Sequence, residues 1–207
     1  ILHVAKRSQF TGKVWTAGFM KAYHKAQFKS CHIVGVRGHL TLQRIKGYDA
    51  NKVVLGDGGL LCDVLAKPEE KKHVLGVIPH FKDLDNLLLD SLVASDQSIV
   101  KINICSGVQN VIQAVQSCEY ILASCLHGLV LADSLGIPND WVEVSEQVPG
   151  RGFKFRDYYS VFGIQDKHPY NIDPSPTLSE ITKHLSEYCR CGIDEIKHNL
   201  RESVKLL

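Results

Sequence analysis

Seven short apolar runs, separated by stretches of helical periodicity, constrain what this chain can fold into. They predict strands at Lys13–Ala17, His32–Val36, Val53–Leu55, His73–Ile78, Val100–Ile104, Tyr120–Ser124 and Trp141–Val144. Most are continuous rather than alternating, the pattern of parallel strands buried on both faces. Between them, apolar residues recur at helical spacing over His39–Lys46, Leu84–Ala94, Val108–Ser117 and Leu126–Leu135. Strand–helix–strand repetition predicts the α/β class, with doubly wound parallel sheets.

The clearest internal boundary is KPEEKK at 67–72, a proline and a charge run between apolar stretches. It predicts two domains, 1–68 and 69–207, the second a Rossmann-like βαβαβαβ unit starting at His73. Two stripes close that domain as packing helices. Leu178, Ile181, Leu185 and Tyr188 follow a capping box formed by Thr177 and Glu180, and Ile193, Ile196, Leu200 and Val204 form the second stripe. The chain opens at Ile1 rather than Met, directly in an apolar stretch, and is expected to be the later part of a longer polypeptide.

A formal net charge of +2 with scattered Lys and Arg gives no nucleic-acid footprint. No apolar run reaches the roughly 20 residues that span a bilayer. Seven cysteines, most within apolar runs (Cys62, Cys105, Cys118, Cys125), predict reduced, core-packed thiols in the cytosol. Cys189 and Cys191 have CxC spacing with no second pair to complete a zinc site.

Chemistry is expected at the carboxyl ends of the strands, where open α/β sheets bind ligands. In EYILASCLHGLVLADSLGIPN (119–139), His127 falls in the first turn of a helix that follows a strand, beside Ser124 and Gly128. Helix N–H groups there suit a phosphate or carboxylate. The competing reading of His127 is a buried histidine bonded to a backbone carbonyl. In VGVRGHLT (34–41), Arg37 stands at the equivalent place and could hold an anion through paired hydrogen bonds. His80 follows a strand in VIPH (77–80), and Lys154 and Arg156 alternate with aromatics in GFKFRDYY (152–159), where a mixed surface helix is the plainer reading. GDGGLL (56–61) matches no nucleotide-binding fingerprint.

Six segments in order, VWTAGF (14–19), VRGHLT (36–41), LGDGGLL (55–61), VIPHFKD (77–83), ASCLHGLVLADSLGIPN (123–139) and KFRDYYS (154–160), resemble the polysaccharide pyruvyl transferase family over roughly residues 12 to 165. The resemblance implies a GT-B-like pair of Rossmann-like domains with a cleft between them and an incomplete N-terminal part. It implies transfer of the enolpyruvyl group of phosphoenolpyruvate onto two hydroxyls of a sugar, giving a pyruvate ketal and phosphate. No metal or other cofactor is implied; phosphoenolpyruvate is the donor substrate. His127 would be the catalytic acid, with Arg37, His80, Ser124, Gly128 and Lys154 binding substrate. The acceptor would be a sugar, oligosaccharide or lipid-linked saccharide, which implies a cytoplasmic protein, peripheral at the inner membrane face where the acceptor is lipid-linked. Cys125 stands where some members carry arginine, and Gly58 where a proline is usual. The alternatives are a GT-B glycosyltransferase using a nucleotide-sugar, for which Asp133 lies out of register with Gly136, and a non-catalytic sugar-binding relative.

Overall fold

A computed structural model describes residues 11–28, 32–49, 52–173 and 176–207; the apolar opening stretch lies outside them. The chain forms two compact units, and both are mixed α/β with parallel strand pairs. Among the described residues, the first comprises those of 11–61, 149–167 and 190–207, the second those of 62–148 and 168–189. The sequence boundary at KPEEKK lies close to the first crossing. The two later segments that rejoin the first unit follow from side-chain packing, which no linker composition announces.

In the first unit, β1 (Lys13–Val14) pairs with β3 (His32–Ile33), β2 (Ala26–Gln27) with β5 (Ile45–Lys46), and β4 (Gly35–Val36) with β6 (Val54–Leu55), all parallel. The predicted strand at Lys13–Ala17 is interrupted because Thr16 takes a left-handed conformation, φ 53°; pairing resumes as a single bridge from Ala17 to Val36. The predicted His39–Lys46 helix ends at Leu42, and Ile45–Lys46 pairs as a strand instead. Ile33, Val36, Phe19, Phe28 and Phe153 form the core. The Ile193–Val204 helix belongs here too. Its Leu200 and Ile196 lie so close to Gly56 that a Cβ there would meet them at 2.9 and 3.0 Å. Trp15 Nε1 donates to Ser203 Oγ at 2.8 Å.

The second unit realises the predicted βαβαβαβ run. Strands β7 (His73–Ile78), β8 (Ile99–Lys101), β9 (Cys118–Ala123) and β10 (Asn139–Trp141) form one parallel sheet in the order β10-β9-β7-β8. Helices Leu87–Ala94, Val108–Gln116 and Leu126–Ser134 make the crossovers. Asn86 caps the first of these, its side chain accepting from the N–H groups of Leu88 and Leu89. Leu75, Val77, Leu122 and Val142 pack against Leu89, Leu92, Ile181 and Leu185. The capping box holds: Thr177 Oγ1 accepts from Glu180 N, and the Glu180 carboxylate accepts from Thr177 N at 2.8 Å. Cys118 and Cys125 are buried as expected, Cys62 is half-buried, and Cys105 is exposed because it sits in the turn after β8 rather than in a strand. Burial pushes the Cys118 thiol up to about 11. No helix among the described residues is long and apolar enough to cross a membrane.

Leu200 is fully buried in the first unit. Leu200→Ala should destabilise the protein by about 2–5 kcal/mol, read as a lower urea midpoint, if the last helix is part of that core.

Candidate functional site

The order β10-β9-β7-β8 sends the chain from β7 to β8 on one side and to β9 on the other. The reversal falls between β7 and β9, and crevices at such reversals bind ligands at the carboxyl ends. Ile78 pairs with Ala123 at the last register position. The chain therefore leaves both strands side by side, at Pro79–His80 and at Ser124–Cys125.

Cys125 is the N-cap of the nine-residue helix Leu126–Ser134, its Sγ accepting from Gly128 N at 3.3 Å. The backbone N–H groups of Leu126 and His127 have no hydrogen-bond partner among the described residues. The His127 side chain is exposed. That excludes the buried-histidine reading: no core carbonyl holds this imidazole. Gly128 is buried, and a Cβ there would lie 3.1 Å from Ala123 Cβ, Cys125 Sγ and Ile78 Cγ2. The glycine lets the helix start sit directly on the two strand ends.

Ser124 is 2% exposed. Its hydroxyl accepts from His80 N at 2.8 Å and donates to Asp83 Oδ2 at 3.0 Å. The other Asp83 oxygen accepts from the Ser145 hydroxyl, on the chain following β10. One buried carboxylate thus ties together the loops after β7, β9 and β10. Lys82 N donates to His80 Nδ1 at 3.3 Å, which in the neutral ring leaves the proton on Nε2. Asp83 and Ser145 were not among the sequence candidates. Asp83 lies within the quoted VIPHFKD, but nothing in that string shows that its carboxylate reaches residues 41 and 62 positions away.

Arg37 and Lys154 belong to the first unit. Arg37 is 6% exposed and forms a buried ion pair. Its Nε and Nη2 donate to Asp157 Oδ2 at 3.0 and 2.9 Å, and Nη2 also donates to Phe19 O at 2.6 Å. Asp157, fully buried, further accepts from Thr41 N at 2.7 Å and Thr41 Oγ1 at 2.6 Å. A Cβ on Gly18 would fall 2.2 Å from Arg37 Cζ, and one on Gly38 would fall 1.8 Å from Asp157 O. The segments VWTAGF, VRGHLT and KFRDYYS therefore meet in one contact. The helix Phe153–Tyr159 is buried on most sides rather than on the surface, because its aromatics pack inward. Lys154 is also buried, its Nζ 5.2 Å from the Phe155 ring centroid.

Asp133 is buried and its Oδ1 accepts from Asn139 Nδ2 at 2.6 Å and Tyr188 Oη at 2.7 Å. That occupies, within the fold, the one acid considered for a nucleotide ribose. Among the described residues no three His, Cys, Asp or Glu side chains gather as metal ligands.

The profile of the polysaccharide pyruvyl transferase family matches residues 12–145. The chain belongs to that family. The match spans Arg37, His80, Asp83, Ser124, His127 and Gly128, and ends before Lys154 and Asp157. An uncharacterized protein of Acanthamoeba polyphaga mimivirus is 34% identical over 164 residues, which cover 75% of this chain and 54% of the relative. The chain thus spans about half the length of that curated relative. No solved structure matches.

Asp157→Ala would strand the Arg37 guanidinium without its buried partner. A loss of about 3–5 kcal/mol in denaturant unfolding is expected. A loss below about 1 kcal/mol would show that the pair does not hold this part of the first unit together.

Proposed function

We propose that the protein transfers the enolpyruvyl group of phosphoenolpyruvate onto two hydroxyls of a sugar, an oligosaccharide or a lipid-linked saccharide, releasing phosphate and leaving a pyruvate ketal. The observation that carries this reading is the placement of an exposed imidazole, His127, in the first turn of a helix at the β7/β9 reversal. Family membership supplies the reaction class. The two parallel α/β units are read as Rossmann-like halves of a GT-B-like protein, acting in the cytoplasm where the donor is made.

Phosphoenolpyruvate carries at most three negative charges, so binding it needs several strong donors. In this reading the Leu126 and His127 N–H groups receive the donor phosphate, aided by the positive end of the helix. His127 gives a proton to the enol C3, which leaves C2 electrophilic. One sugar hydroxyl adds to C2, the C2–O bond to phosphate breaks, and the second hydroxyl closes the ketal. Of the two hydroxyl protons, one replaces the proton given to C3 and the other leaves on phosphate. Imidazole suits this exchange because it gains and loses protons near neutral pH. His80, which leaves β7 at the same edge, is read as part of the substrate-binding wall. Ser124, through Asp83, fixes the loop that carries it. The reading uses no metal and no organic cofactor.

His127→Asn keeps the size of the side chain and removes its titratable proton. We expect kcat to fall roughly 100-fold or more, the usual span for an acid–base group, while the melting midpoint stays within a few degrees because the side chain is exposed. Phosphate release and ketal formation from phosphoenolpyruvate give the kinetic readout. Full activity in this variant would remove His127 from the chemistry.

A further inference from the structure

The first unit holds a cavity of about 710 Å³ that plays no part in the donor site just described. His39, Gln43, Arg44, Arg156, Gln165 and Asp166 give it a polar lining. It lies beside the His39–Leu42 helix, which leaves the carboxyl end of β4, the edge at which parallel sheets take ligands.

Both arginines are anchored before any ligand arrives. Arg44 Nε donates to Ala22 O at 2.8 Å and Nη1 to Leu40 O at 2.7 Å, with the guanidinium 4.9 Å over the Phe153 ring. Arg156 Nη2 donates to Arg151 O at 2.6 Å. Arg44 Nη2 and Arg156 Nε and Nη1 have no partner among the described residues. Two guanidinium groups, each fixed by backbone carbonyls with donors left over, are suited to an oxyanion. Among the described residues, Asp166 is the only carboxylate lining the cavity, so cationic groups outnumber it. The volume is that of a site for a drug-sized ligand, and a three-carbon phosphate would fill only a small part. Gln43, Gln165 and Asp166 offer planar amide and carboxylate groups of the kind that pair with neighbouring hydroxyls.

We infer that this cavity binds a saccharide carrying an oxyanion, either a phosphate or a carboxylate. This binding does not depend on the pyruvyl transfer reading.

Calorimetric titration of the full chain with α-D-glucose 1-phosphate, D-glucuronate, methyl α-D-glucopyranoside, inorganic phosphate and phosphoenolpyruvate tests it. Binding of glucose 1-phosphate or glucuronate is expected, and which of the two binds names the source of the oxyanion. The uncharged methyl glucoside and inorganic phosphate should each bind about tenfold more weakly or worse, since each lacks one half of the recognised group. Arg156→Gln should weaken the anionic sugar by about tenfold and leave phosphoenolpyruvate within about twofold. Gln43→Ala, an exposed change that leaves both arginine anchors intact, should weaken it to a lesser degree and guards against misfolding of the arginine variant. The inference is overturned if neither anionic sugar binds, if methyl glucoside or phosphate binds as well as they do, or if Arg156→Gln abolishes phosphoenolpyruvate binding. If wild-type protein binds the anionic sugar but never phosphoenolpyruvate, the proposed reaction fails while the cavity stands as a sugar site.

Discussion

Everything proposed for the second unit depends on the parallel, in-register pairing of β7 with β9, which ends at Ile78 opposite Ala123. Parallel strands need crossovers, and crossovers send every following loop out on one edge. Because the two strands end level, His80 and the start of the Leu126–Ser134 helix emerge next to each other. Gly128 then allows the helix to rest on both strand ends without the side chain that would hold it off. The Asp83 carboxylate, holding the Ser124 and Ser145 hydroxyls, fixes the remaining freedom of the loops. A site built this way keeps its geometry without a bound ligand, which is what a reaction relying on placed donors requires.

The first unit is organised around a different interaction. The Arg37–Asp157 pair is withdrawn from water, and burying such a pair gains little net stability unless every remaining donor and acceptor is satisfied. Here Phe19 O and both donors of Thr41 complete it. Its worth lies in orientation. It fixes the helix Phe153–Tyr159, hence Arg156, against the loop after β4. Gly18 and Gly38 are glycines because the pair occupies the space their side chains would take.

Much of this was legible in the residues. The continuous apolar runs marked β7, β9 and the central pairs of the first unit, and the Thr177–Glu180 box marked its helix. The strands Ala26–Gln27 and Ile45–Lys46 were not legible, because two-residue elements carry no periodicity. His127 could be placed at a helix start from sequence, but its exposure, which decides between chemistry and core, depends on packing. The resemblance assigns Gly128 to substrate binding, while its packing against Ala123, Cys125 and Ile78 is a matter of the fold that the string alone does not reveal. Asp157 and Asp83 act across 120 and 41 residues of chain, and composition cannot reveal contacts at that range. Nor could the return of 149–167 and 190–207 to the first unit be read, since it rests on side chains such as Leu200 meeting Gly56.

The central claim is that phosphoenolpyruvate sits against His127. Assigned imidazole resonances of the ten histidines, followed by NMR during titration of the unaltered chain with phosphoenolpyruvate, test it most directly. The account predicts saturable movement of the His127 ring signals and of the Leu126 and His127 amides, with a smaller response at His80. His73, at the opposite end of β7 from the proposed site, should stay still. Saturable binding with the His127 ring and amides unmoved would contradict the account.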